Sequence, residues 1–114
     1  MIHKGGYKME NLSQVYKVYR DEPETFIKIA DILKALGHPQ RLCIAKSLCE
    51  SGPHSVTEMQ HCLEEKQPII SKHLMSLKAA NVISGERVGN KIFYSISDDK
   101  MKKLVQTIID EFFY

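Results

Sequence analysis

The hydrophobic period of this chain changes once, at Asn81. Before it, apolar residues recur at helical spacing; after it come two β-prone runs, Ile83–Val88 and Lys91–Ile96, separated only by Gly89 and Asn90. A two-residue link with glycine first suits a type II′ turn, so the runs read as a hairpin with Ile92, Tyr94 and Ile96 on one face. Helices followed by one small hairpin define the class as mainly α with a small β-hairpin (α+β). The 114 residues suffice for one core and exclude a multidomain enzyme.

Residues 1–10, with the pair Gly5-Gly6, read as a flexible arm, and residues 11–114 as a single domain. Leu12, Val15, Tyr16 and Tyr19 define a short amphipathic helix ending before Asp21. Asp21 and Pro23 open a second helix carrying Phe26, Ile27, Ile29, Ala30, Ile32, Leu33 and Leu36, an apolar surface wider than one core-facing stripe needs. Pro39 starts a third helix through Leu42, Ile44, Ala45 and Leu48, stopped by Gly52-Pro53. Ser55 and Glu58 form a capping box for a short helix with Val56, Met59 and Leu63 inward. Past a polar turn at Glu64, Glu65 and Lys66, Pro68 begins a helix whose Ile70, Leu74 and Leu77 face the core. A last helix starts around Asp98-Asp99, with the apolar stripe Met101, Leu104, Val105, Ile108, Ile109 and Phe112.

This order is that of a winged helix-turn-helix, with the helix-turn-helix over about residues 55–80 and the wing over about 82–97. Three stretches, in the right order, carry a family resemblance: Ala35-Leu36-Gly37-His38-Pro39-Gln40-Arg41-Leu42, then 67–78 with Ser71-Lys72-His73-Leu74, then 88–96 with Gly89-Asn90-Lys91. Together they resemble the signature stretches of the ArsR family of bacterial repressors, over about residues 24–112. The resemblance implies a homodimer of winged-helix subunits that leaves its operator on sensing a metal or redox signal. Asn81 stands where the family usually has glycine, and it is able to hold the left-handed conformation of a helix stop. Gln67 is a weaker cap than the Ser or Thr often found there, so the start of that helix is expected to fray.

The formal net charge of +2 by itself names no partner. Between Lys66 and Lys91, however, five cations (Lys66, Lys72, Lys78, Arg87, Lys91) face one anion, Glu86, a local +4 that leaves −2 for the rest. An excess on a recognition helix and wing is the footprint of phosphate contacts; the bland alternative is a solvated lysine face. The expected partner is double-stranded operator DNA. Gln67 has the amide geometry for an adenine edge, Lys72 reaches guanine or phosphate, and Ser71 is a shorter donor. Lys78 adds charge along the same helix, and Arg87, Asn90 and Lys91 at the hairpin tip would touch backbone or minor groove. His73 matches the histidine usual in the family's motif and reads equally as a DNA contact or a partly buried structural residue.

Two metal sites are familiar in the family. One uses cysteines at positions resembling Ser55 and Thr57; the other uses acidic and His residues on the terminal helix, which here contains no His. Hydroxyls are poor ligands for soft metals, so no metal or other cofactor is expected. The candidate thiol sensors are Cys43, Cys49 and Cys62, with Cys43 beside Arg41, where a cation would favour the thiolate. A buried cysteine that acts only as a small hydrophobe is the competing reading. Cys43 and Cys49 lie about 240 degrees apart around one helix and cannot pair. Thiol redox chemistry is therefore favoured over metal binding, with the inducer itself unknown.

Helices at about 24–36 and 98–113 offer more apolar surface than one small domain covers, which points to a homodimer. No Gly-rich phosphate loop, nucleophile elbow or supported acid–base pair is present, so the chain is not expected to be an enzyme. A winged helix used only as a protein-interaction scaffold remains the alternative. No apolar run approaches the roughly 18 residues of a membrane span, and residues 1–10 lack the apolar core of a signal peptide. Together with the odd number of cysteines, this leads to the expectation of a cytoplasmic protein without a membrane partner.

Overall fold

Helix boundaries follow the punctuation of the sequence. In the computed structural model, which describes residues 8–114, α1 spans Met9–Asp21, α2 Pro23–Leu36 and α3 Pro39–Ser51. Pro39 occupies the first turn of α3, where its missing N–H is no loss, and His38 caps that helix by accepting from the Gln40 amide at Nδ1, 3.1 Å away. Gly52, at φ 82°, ends it. Most of the expected arm at residues 1–10 lies outside the described residues, but Met9 and Glu10 are helical.

The chain divides into two compact units, one ending at Ala30 and one running from Asp31 to Tyr114. The reason lies in what each helix buries. None of the residues of α1 is buried, and Phe26, Ile27 and Ile29 of α2 are all exposed; burial begins at Ile32. Within the first unit Tyr19 and Phe26 pack edge to face at 5.5 Å.

In the second unit a short strand β1 (His54–Ser55) leads into α4 (Val56–Leu63), a turn, α5 (Gln67–Ala79), β2 (Ile83–Val88), β3 (Lys91–Ile96) and α6 (Asp99–Phe112). The sheet is three-stranded and antiparallel in the order β1-β3-β2, not the two-stranded hairpin expected. His54 pairs with Tyr94 and Ser55 with Phe93, so the strand from the third helix to the helix-turn-helix ties that motif to the wing. At the hairpin, Val88 pairs with Lys91 across Gly89, whose φ of 65° meets the demand of a type II′ turn. Gly85 lies opposite Tyr94, and a Cβ there would sit 3.0 Å from the Tyr94 ring and 3.1 Å from Ile92. The ring of Tyr94 and the side chain of Ile92 thus share one face, as their alternation implies.

The core is built from Ile44, Ala45 and Leu48 of α3, Met59 of α4, Ile70, Leu74 and Leu77 of α5, Val82 and Ile83, and Met101, Val105 and Ile109 of α6. Ile70 and Leu77 are fully buried, so truncating either to alanine costs about 2–5 kcal/mol. Asp98 caps α6 by accepting from the Met101 amide at 2.8 Å.

Candidate nucleic-acid interface

The two helices of the helix-turn-helix start differently and stop alike. The Ser55 hydroxyl accepts from the Glu58 amide at 3.2 Å while the Glu58 carboxylate accepts from the Ser55 amide at 2.9 Å, the full capping box. That amide is also the main reason the Glu58 carboxyl is held below its ordinary range. Helix α4 ends at Glu64, which takes the left-handed conformation at φ 52°; the Glu65 amide then reaches back to the Gln60 carbonyl and the Glu64 amide to that of His61. Helix α5 ends identically at Asn81, φ 58°, with Val82 N–H on the Leu77 carbonyl and Asn81 N–H on that of Lys78. Both are Schellman stops.

Between these stops, α5 presents an outward row. Gln67, Lys72 and Lys78 are exposed and Ser71 is half-buried. At the wing, Arg87, Asn90 and Lys91 are all exposed at the hairpin tip. None of the four cations takes part in an ion pair among the described residues. Gln67 is not the cap of α5 but its first helical residue; Lys66 holds the cap position and makes no side-chain capping bond.

Of the two readings held open for His73, burial favours the structural one. Its relative exposure is 7%, and it is the second residue of the stripe Ile70, His73, Leu74, Leu77, so its side chain faces inward. Its Nε2 lies 2.8 Å from Gln40 Oε1, and its ring centroid 4.6 Å from that of His38. Gln40 Nε2 in turn donates to Glu65 Oε2 at 3.1 Å. Burial, and then the neighbouring His38 and Arg41, push the His73 imidazole below its ordinary value, against the opposite pull of Glu65. The signal for its burial was in the stripe itself. The bond from Gln40 to His73 spans 33 residues of sequence and so leaves no local pattern.

The thiols separate into two kinds. Cys49 is buried, its Sγ 3.4 Å from Gln106 Oε1, and burial raises its pKa, the environment of a packed thiol. Cys43 and Cys62 are exposed and line one cavity of about 370 Å³ between α3 and α4, together with His54 and Glu58. The Arg41 guanidinium donates to the Ala35 carbonyl at 2.6 Å and to that of Lys34 at 3.4 Å, satisfying the end of α2. Among the described residues no three His, Cys, Asp or Glu side chains converge to hold a metal ion, and no helix is long and apolar enough to cross a membrane.

No family model matches the chain. Individual proteins do. An uncharacterized HTH-type transcriptional regulator of Methanocaldococcus jannaschii is 40% identical over 88 residues, covering 77% of this chain and 98% of that protein. The crystal structure of the transcriptional repressor BigR from Xylella fastidiosa is 30% identical with a TM-score of 0.69, over 82% of this chain and 94% of the other. A homodimeric winged helix-turn-helix DNA-binding domain from Mycobacterium bovis, a possible ArsR-family regulator, has the same fold with a TM-score of 0.70 at 24% identity, over 82% and 88% of the two chains. These relatives are transcriptional regulators rather than enzymes, and the chain belongs to the ArsR family of winged helix-turn-helix, DNA-binding transcriptional regulators.

Proposed function

We propose that this chain is a dimeric repressor that reads operator DNA with α5, steadies it with the wing, and lets go on thiol oxidation. The observation that carries the DNA reading is the polar set of exposed Gln67, Lys72, Lys78, Arg87, Asn90 and Lys91 with half-buried Ser71, shared between one helix and one hairpin tip. Gln67, Ser71 and Lys72 lie in the first two turns of α5, the part of a recognition helix that meets base edges, and the wing cations lie where phosphates would pass.

Exposed apolar surface supports a homodimer. Phe26, Ile27, Ile29 and Leu33 on α2 are 44% to 58% exposed, and Phe112, Phe113 and Tyr114 at the end of α6 are 52% to 82% exposed, apolar faces that a subunit commonly covers with a partner. Two-fold pairing through these helices would set two copies of α5 on half-sites about one helical turn apart.

Release is assigned to Cys43 and Cys62, which share a cavity beside the first helix of the helix-turn-helix. A hydroperoxide would oxidise the two thiols to a disulfide while being reduced to alcohol and water, both thiol protons leaving in those products. Closing such a bond across the cavity would draw α4 toward α3 and disturb the α4–α5 turn. The test is a fluorescence-anisotropy titration with DNA from the protein's own upstream region, alongside sedimentation at micromolar concentration. Tight, salt-sensitive binding of a dimer, weakened by hydroperoxide in the wild type and not in Cys43→Ser or Cys62→Ser, is the expected result. Absence of DNA binding favours the interaction-scaffold alternative, and equal release in both Ser variants ends the thiol assignment.

A further inference from the structure

We infer that Gln40 is a positioning residue for α5, the helix proposed to read DNA: it joins His73 of α5 to Glu65 of the preceding turn and so holds the start of α5 against α3. The inference rests on α5 being the DNA-reading helix, but its structural content is independent of that reading.

Four observations lead to it. First, α5 makes no side-chain capping bond of its own, although its first two turns carry Gln67, Ser71 and Lys72. A helix start without a cap leaves backbone amides unsatisfied and frays readily. Second, the Glu65 carboxylate stands immediately before that start. It accepts from the Lys66 amide at 3.0 Å through one oxygen and from Gln40 Nε2 at 3.1 Å through the other. A negative charge at this end of a helix is favourable. Third, the orientation of the Gln40 amide is determined by its partners. A carboxylate only accepts, so the Gln40 nitrogen faces Glu65 and its oxygen faces His73, whose Nε2 must carry the proton. Along Glu65–Gln40–His73 the carboxylate accepts, the amide donates at one end and accepts at the other, and the imidazole donates. Fourth, Gln40 sits in the first turn of α3, itself anchored by the His38 cap, so the bond to His73 ties α5 to a fixed element.

The three residues come from α3, the α4–α5 turn and α5, elements that apolar contacts alone would leave free to slide by small amounts. A polar network whose members are all satisfied selects one arrangement out of several with similar burial. Small rotations of α5 would change which side chains meet which base edges while leaving phosphate attraction nearly the same. Gln40 is thus expected to influence discrimination between operator and unrelated DNA more than total attraction.

The test uses the full-length protein with Gln40→Leu, Glu65→Ala and the conservative Glu65→Gln, which still accepts from Gln40. Amide hydrogen exchange in free protein is read at residues 67–72, with α6 as internal control, and anisotropy is read on operator and scrambled duplexes. The expected result is exchange about tenfold faster at 67–72 in Gln40→Leu and Glu65→Ala, unchanged exchange in α6, and recovery toward wild type in Glu65→Gln. Operator affinity should fall about tenfold in the first two variants with scrambled-duplex affinity and salt slope unchanged. Unaltered exchange at 67–72 in both Gln40→Leu and Glu65→Ala overturns the inference. Faster exchange at 67–72 with no operator binding by the wild type supports the positioning role and removes the DNA reading instead. Loss of protection throughout Gln40→Leu leaves the decision to Glu65→Ala, at the surface turn.

Discussion

The amide of Val82 donates to the carbonyl of Leu77 at 2.9 Å, across a left-handed Asn81, so α5 ends and β2 begins within one hydrogen-bonded turn. Both residues are fully buried, which makes the hydrophobic contact that accompanies such a stop part of the core. The angle between helix and wing is therefore set by the stop itself. A left-handed conformation costs a non-glycine residue about 1–2 kcal/mol, least for asparagine. Asn81→Val should lower stability by about that amount. Glu64, with the same conformation between the two helices and no asparagine-like relief, should respond the other way, with Glu64→Gly raising Tm by several degrees. Thermal melts of both variants check the pair, and equal shifts in the same direction would contradict it.

The capping box gives a pH dependence of definite sign. In the folded chain the Glu58 carboxyl lies below its ordinary 4.5, held there first by the Ser55 amide and then by the Ser55 hydroxyl. Its contribution is complete above about pH 4.5 and disappears as pH falls through the lower folded value. Ser55→Ala, at a buried cap, should cost about 1 kcal/mol at neutral pH, with the difference from wild type narrowing in acid. Urea midpoints at neutral and acid pH measure this directly.

His73 acts in the opposite part of the range. Its folded value lies below 6.5, chiefly through burial, then through His38 and Arg41, with Glu65 opposing. The unfolded chain takes up the proton first, so stability should be level above about pH 6.5 and fall as pH drops below it, until the folded value is passed. His73→Gln, which retains an N–H for Gln40 but does not titrate, should flatten this segment of the urea-midpoint curve. A slope that survives in His73→Gln would assign the effect to another group.

Much of the fold was legible because its boundaries depend on local chemistry. Pro23, Pro39 and Pro68 each stand in the first turn of a helix, and the Ser55–Glu58 box and the Gly89-Asn90 turn need only their own neighbours. Strand β1 was not legible, since two residues carry no period and exist as a strand only by pairing with Phe93 and Tyr94. The division at Ala30 was hidden for a similar reason: the apolar period of α1 and early α2 reports amphipathicity, not which side chains reach a core. At the candidate site, exposed cations could be read from the apolar stripe they avoid. The Gln40–His73 bond and the shared Cys43–Cys62 cavity join distant segments and required tertiary packing to appear.

The central claim, that α5 and the wing together grip duplex DNA through Lys72, Arg87 and Lys91, is tested most directly by the salt dependence of operator affinity. Each phosphate contact removed should reduce the slope of log affinity against log salt by about 0.9. The triple variant Lys72→Ala, Arg87→Ala, Lys91→Ala should bind more weakly, with a slope smaller by roughly 3 per subunit contacting DNA. A triple variant with the wild-type slope and affinity would contradict the placement of DNA on this face.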